Sequence, residues 1–175
     1  EKGGAAVAPI GALCPEAIQD GKVDRGILGQ VVLKDAQKLK QLEAIVHPLA
    51  GQSQMDFLAA QATKQTPLVL LDIPLLFETG GDGFVDCVVV VSASAELQRA
   101  RVLARPGMSA ERFEDILAKQ VPDAQKRERA EFVVDSSISV EDAHRQVRDI
   151  IEQLQGRDGS AYAARKARFE ARPKG

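Results

Sequence analysis

Two unbroken apolar runs limit what this chain can fold into. Leu68-Val69-Leu70-Leu71-Asp72-Ile73 is closed by Pro74, and Cys87-Val88-Val89-Val90-Val91 is closed by Ser92. Continuous runs with β-branched residues suit buried parallel strands, because strands covered on both faces have no polar side to alternate with. Phe132-Val133-Val134, followed by Asp135-Ser136-Ser137, is a third and weaker candidate. Helical patterns lie between and around them. Asp35 caps a predicted helix over 36–46, with Leu39, Leu42, Ile45 and Val46 on one face. His47-Pro48 is expected to interrupt it, with Pro48 opening a second helix that carries Leu49, Met55, Leu58 and Ala59 towards Ala62. Ser94 and Ser109 cap predicted helices over 95–104 and 110–120, and Ser139 opens one with Ala143, Val147, Ile150, Ile151 and Leu154 on its stripe. Strand–helix–strand alternation predicts an α/β fold with a parallel sheet. The first sixty-odd residues read as helix and loop with no convincing strand. The expected division is a mainly helical part over 1–66, a parallel α/β core over 67–155, and a basic helix or tail over 156–175.

The chain has 175 residues, enough for one compact domain with a small appendage. Its 23 Lys and Arg against 25 Asp and Glu leave a net charge of −2, which gives no reason to expect nucleic acid or an anionic membrane as partner. An apolar fraction of 45% with 27% charged residues excludes wholesale disorder. No apolar run approaches the roughly 18 residues of a membrane span, and Glu1-Lys2-Gly3-Gly4 carries no signal-peptide pattern. Cys14 and Cys87 are too far apart for a CxxC pair. Reduced, buried thiols in a cytoplasmic protein are the expectation. From Gly156 onwards, six basic residues oppose two acidic ones. A solvated terminal helix is favoured there over nucleic-acid binding.

Several residues invite a chemical reading. Asp72 sits where an apolar strand is expected to end, and ligands of open α/β sheets bind outside strand carboxyl ends. It could hold Mg²⁺ through water or cap the turn before Pro74, and residue type leaves both open. In Pro74-Leu75-Leu76-Phe77-Glu78-Thr79-Gly80, the large apolar side chains read as core by periodicity. They could also wall a pocket with Glu78 as polar anchor. Arg101 and Arg105 share a helix face, and Arg99 lies in the same helix. Guanidinium groups clustered beside a Pro106-Gly107 turn suit a movable lid over polyphosphate; on charge alone, a solvated face is the more ordinary reading. His47 and His144 read as structural. No GxxxxGK[ST] or GxGxxG occurs, so these residues supply no P-loop cradle.

Taken in order, certain segments resemble dephospho-CoA kinase. They are Asp24-Arg25…Leu28, Leu42-Glu43-Ala44-Ile45-Val46-His47-Pro48-Leu49 and Leu71-Asp72-Ile73-Pro74-Leu75-Leu76-Phe77-Glu78-Thr79-Gly80. The order continues with a Val-rich strand, Gln98-Arg99, Arg101, Arg105, Gln120, Lys126, Ala130-Glu131 and Val134-Asp135. The resemblance runs to about residue 155 and leaves out the basic tail. It implies a P-loop kinase fold with a helical CoA-binding region and a lid over about 100–130. The implied reaction moves the γ-phosphoryl group of ATP to the 3′-hydroxyl of dephospho-CoA, with Mg²⁺. By resemblance, Asp24, Arg25 and His47 belong to the CoA-binding part, and Pro74, Leu75, Leu76, Phe77 and Glu78 line the substrate side. Arg101 and Arg105 contact phosphates as catalytic lid residues. Lys126, Asp135 and Ser136 lie on the nucleotide side, although the family often has Asn where Ser136 stands. The family's opening strand, P-loop, helix and Asp-bearing second strand are not found ahead of Glu1, so the chain as given is expected to lack useful kinase activity. Another small P-loop nucleotide or metabolite kinase is one alternative, and a non-catalytic CoA-binding fragment is another.

Overall fold

The computed structural model describes residues 2–171. Glu1, which marks the start of the resemblance, and Arg172 and Lys174, which contribute to the tail's charge, lie outside the described residues. The chain forms two compact units, Glu1–Thr66 and Pro67–Gly175.

The first unit is mainly helical. Helix α1 (Val7–Leu13) leads into a short hairpin, β1 (Ile18–Gln19) and β2 (Lys22–Val23), then α2 (Arg25–Val32) and α3 (Ala36–Thr63). The hairpin corrects the expectation of no strand. Asp20 and Gly21 both have positive φ, 51° and 73°, as a two-residue turn matched to strand twist requires. Ile10, Cys14, Ala17, Leu28 and Val32 form the core, with Leu39, Leu42 and Ile45 of α3 packed against it. Helix α3 is also a correction: it runs through His47-Pro48 unbroken, with Pro48 inside. Pro48 lacks the N–H that would bond Ala44. The apolar positions of the first half, Leu39, Leu42 and Ile45, are docked on α1 and α2 and hold the helix together on that side.

The second unit is α/β. Strands β3 (Val89–Ser92) and β4 (Phe132–Asp135) pair in parallel, with Val90 opposite Val133 and Ser92 opposite Asp135. Between them come α4 (Ala95–Leu103), α5 (Ala110–Leu117) and α6 (Asp123–Arg129); α7 (Val140–Leu154) and α8 (Ala161–Glu170) follow. Ser94, Ser109 and Ser139 each accept a hydrogen bond from a first-turn amide, so the three predicted caps are present. Val134 is 1% exposed, and Val90 and Ile150 are also buried, so the sheet is covered by α7.

The run over 68–73 differs from expectation. It makes no ladder among the described residues, and Leu70 is 83% exposed. A strand is a pairing, and β-branched composition forms none where no neighbour presents its backbone.

Candidate functional site

Parallel pairing puts the ends of β3 and β4 side by side, and the polar residues that terminate both apolar runs meet there. The Ser136 amide and hydroxyl both donate to the Ser92 carbonyl, each at 2.9 Å. Arg101 reaches over from α4. Its guanidinium donates to Ser136 Oγ at 3.1 Å and to the Ser136 carbonyl at 2.8 Å. Ser92 Oγ, itself buried, lies 2.9 Å from each carboxylate oxygen of Asp123, the first residue of α6. The strand tips are thereby tied to the helices on either side of α5.

This arrangement borders a cleft of about 350 Å³, lined among others by Arg101, Arg105, Gln120, Asp123 and Ser136. A second concavity of about 420 Å³ is lined by Arg101, Ser136, Ser139, Val140, Ala143 and His144. Arg101 and Ser136 line both. Arg105 is exposed and lies two residues past the end of α4 at Leu103, so it does not share a helix face with Arg101, contrary to what the spacing predicts; the turn before Pro106 carries it to the same cleft. Two guanidinium groups at strand carboxyl ends are the donors that phosphate oxygens require. Asp135 turns its carboxylate to the Ser137 amide at 2.8 Å, and the Ser137 hydroxyl and amide hold its pKa below the ordinary value against a smaller effect of burial. Its own amide and carbonyl are both taken by the Gln146 side chain, each at 2.9 Å.

A second group lies where segment 74–80 meets α6. Phe77 is buried. Glu78 Oε1 accepts from the Val121 amide at 2.9 Å and from Lys126 Nζ at 2.8 Å. Its Oε2 is buried without a hydrogen-bond partner. Burial pushes the Glu78 pKa up, but the bonds from Lys126 and the Val121 amide, with the Lys126 charge, bring it below its ordinary value. Arg129 stacks over the Phe77 ring at 4.4 Å and pairs with Asp82. The structure therefore brings Glu78 and Lys126 onto each other. Leu75 is 46% exposed, and Pro74 is exposed with it, while Leu76 is half-buried.

The remaining candidates are dispersed. Asp24 caps α2, accepting from the Gly26 and Ile27 amides at 2.8 and 2.9 Å. Arg25 and His47 are exposed on the helical unit. Asp72 is exposed in the unladdered run, and among the described residues no three His, Cys, Asp or Glu side chains gather as a metal site. The Ser92–Asp123 contact was missed by sequence reading. A Ser closing a Val-rich strand is a signal, but nothing local points to an Asp thirty-one residues on.

Among the described residues, no helix is long and apolar enough to cross a membrane. The family model described as dephospho-CoA kinase matches residues 1–142. The dephospho-CoA kinase of Mesorhizobium japonicum is 52% identical over 157 residues, covering 90% of this chain and 80% of the relative. That of Agrobacterium fabrum is 53% identical over 149 residues, covering 85% and 77%. Among solved structures, TT1252 from Thermus thermophilus superposes with a TM-score of 0.68 at 37% identity, covering 84% of this chain and 75% of that one. The dephospho-CoA kinase from Campylobacter jejuni gives a TM-score of 0.57 at 25% identity, covering 79% and 69%.

Proposed function

The chain belongs to the dephospho-CoA kinase family, and on that premise we propose that it serves phosphoryl transfer from ATP to the 3′-hydroxyl of dephospho-CoA. The observation that carries this reading is the pair Arg101 and Arg105 on one cleft at the carboxyl ends of β3 and β4. Transfer of a phosphoryl group asks little covalent chemistry of a protein. It asks for positioning and for fixed positive charge where the equatorial oxygens develop negative charge. In this reading, Arg101 and Arg105 supply that charge. Ser136 holds Arg101 in place, and Asp135 and Ser136 at the strand end flank the nucleotide base. Lys126 acts on the nucleotide side through its anchor on Glu78. Phe77 and Glu78 fix the backbone of 74–80, so that Pro74, Leu75 and Leu76 face dephospho-CoA. Asp24 and Arg25 at the start of α2, and His47 within α3, belong to the CoA-binding side.

ATP is the co-substrate. Mg²⁺ is expected to arrive with it, and no step here is routed through the ion. A cytoplasmic site of action fits a reaction that consumes ATP. The test is to incubate the intact protein with ATP and dephospho-CoA and to separate the products by chromatography. CoA and ADP should appear together, and dephospho-CoA should saturate at lower concentration than AMP or shikimate. Turnover of AMP or shikimate in its place would defeat the reading.

A further inference from the structure

The C-terminal helix lies beyond the residues the family model matches, and nothing in the reading above uses it. Its contacts are nevertheless specific. Ser160, at the N-cap position of α8, makes no side-chain cap. Asp86 does so from more than seventy residues upstream: its Oδ1 accepts from the Ser160 amide at 2.6 Å and the Ala161 amide at 2.8 Å. The approach is close enough that a Cβ on Gly159 would sit 2.8 Å from Asp86 Oδ2. About two turns further along, the Arg168 guanidinium lies over the Phe84 ring at 4.3 Å. Arg157, just ahead of the helix, pairs with Glu131 next to β4.

Phe84 and Asp86 end the stretch that begins at Pro74. Its other side is held by α6, through Lys126 on Glu78 and Arg129 on both Phe77 and Asp82. The stretch between has little regular structure of its own, only a 3₁₀ turn over Gly81–Phe84. Its placement therefore depends on what grips its two ends. We propose that α8 is a positioning strut for the substrate-side segment, with Asp86 and Arg168 as positioning residues that fix 74–84 by gripping its C-terminal end. This rests on the reading that 74–78 faces dephospho-CoA. An Asp capping a helix from a distant loop stabilises the helix and the loop together, because neither the amides nor the carboxylate keeps its partner if the other moves.

The test compares D86A, D86N and R168Q in the intact protein. Asn keeps an acceptor oxygen for the two amides, so D86N should behave as the parent. In D86A and R168Q, amides over 76–84 should exchange with solvent about tenfold faster while those of β3 and β4 do not change. The KM for dephospho-CoA should rise about fivefold with the KM for ATP and kcat unmoved. Faster exchange confined to α8 would overturn the proposal, since the helix would then be a passenger. An equal increase across β3 and β4 would overturn it too, as a general loss of stability. Faster exchange over 76–84 with an unmoved dephospho-CoA KM would support the strut and overturn the placement of 74–78 on the substrate side.

Discussion

Lys126 Nζ lies 2.8 Å from Glu78 Oε1, and the two side chains are only 17% and 13% exposed. No other ion pair seen among the described residues has both partners so enclosed. Breaking a buried pair from one side leaves an uncompensated charge, which typically costs about 3–5 kcal/mol. Lys126→Ala strands a carboxylate whose second oxygen already has no partner. Because the pair is only part-buried, this should lower the free energy of unfolding by about 1–3 kcal/mol. Glu78→Gln keeps an acceptor for Val121 and should cost less. Urea unfolding of the two single variants and the double variant would show the coupling as a double-variant loss well below the sum. Simple additivity would mean that the pair is not a unit.

The same carboxylate makes stability depend on pH. Its folded pKa lies below the ordinary value of 4.5. A depressed carboxyl stabilises the fold above its unfolded pKa, and that contribution is lost as pH falls through the folded one. The melting temperature should be level well above pH 4.5 and fall below it. Glu78→Gln should make the acid limb shallower. Melting curves at half-unit steps decide it, and parallel acid limbs in the two proteins would rule Glu78 out.

Arg101 should matter to turnover more than its exposure suggests. Arg101→Ala removes a charge aimed at the cleft and should lower kcat/KM for ATP by about a hundredfold. Ser136→Ala leaves the carbonyl bond to Arg101 intact but removes the hydroxyl's bonds from Arg101 and to the Ser92 carbonyl, and should lose about fivefold. Steady-state kinetics on the intact protein provide the comparison. Arg101→Ala within twofold of the parent would remove this residue from the site.

Pro48 sits inside α3 without an amide to donate. A proline in a helix interior costs about 3 kcal/mol against alanine in an unconstrained host. Pro48→Ala should therefore raise the stability of the helical unit by about 1–3 kcal/mol. Urea unfolding monitored by helical circular dichroism would show the gain. A loss of stability would mean the helix axis at Pro48 is set by its packing.

What sequence could read here was local, and what it missed was pairwise. Ser94, Ser109 and Ser139 were legible as caps because a cap is decided within three residues. The strands β3 and β4 were legible as Val-rich runs. The run over 68–73 is also largely apolar, though Leu-rich, and forms no ladder among the described residues, because composition cannot say whether a neighbour is present. The hairpin at Asp20-Gly21 carries a short-range signal in its Asp-Gly pair, but its two-residue strands are too short to show an alternating pattern. At the site, Arg101 and Arg105 do line one cleft, but the helix expected to carry both stops at Leu103, so their spacing on a helix is not what brings them together. Their connection through Ser136 and Ser92 to Asp123 depends on strand register. The meeting of Glu78 with Lys126 depends instead on how the irregular stretch 74–80 packs against α6, and the resemblance places the two residues on different ligands.

Gln146 presents its amide to the Asp135 backbone as a neighbouring strand would, accepting from the N–H and donating to the C=O, and a bond to Asp142 at 2.7 Å steadies it. One rung on the free side of β4 is thus already filled by a side chain. An extended segment of another molecule that tried to dock along β4 would have to break three hydrogen bonds at that rung before making any. The opposite side of the sheet, along Val89 and Val91, has no such plug among the described residues. Strand addition beside β4 is therefore obstructed by a side chain that stands in for a strand.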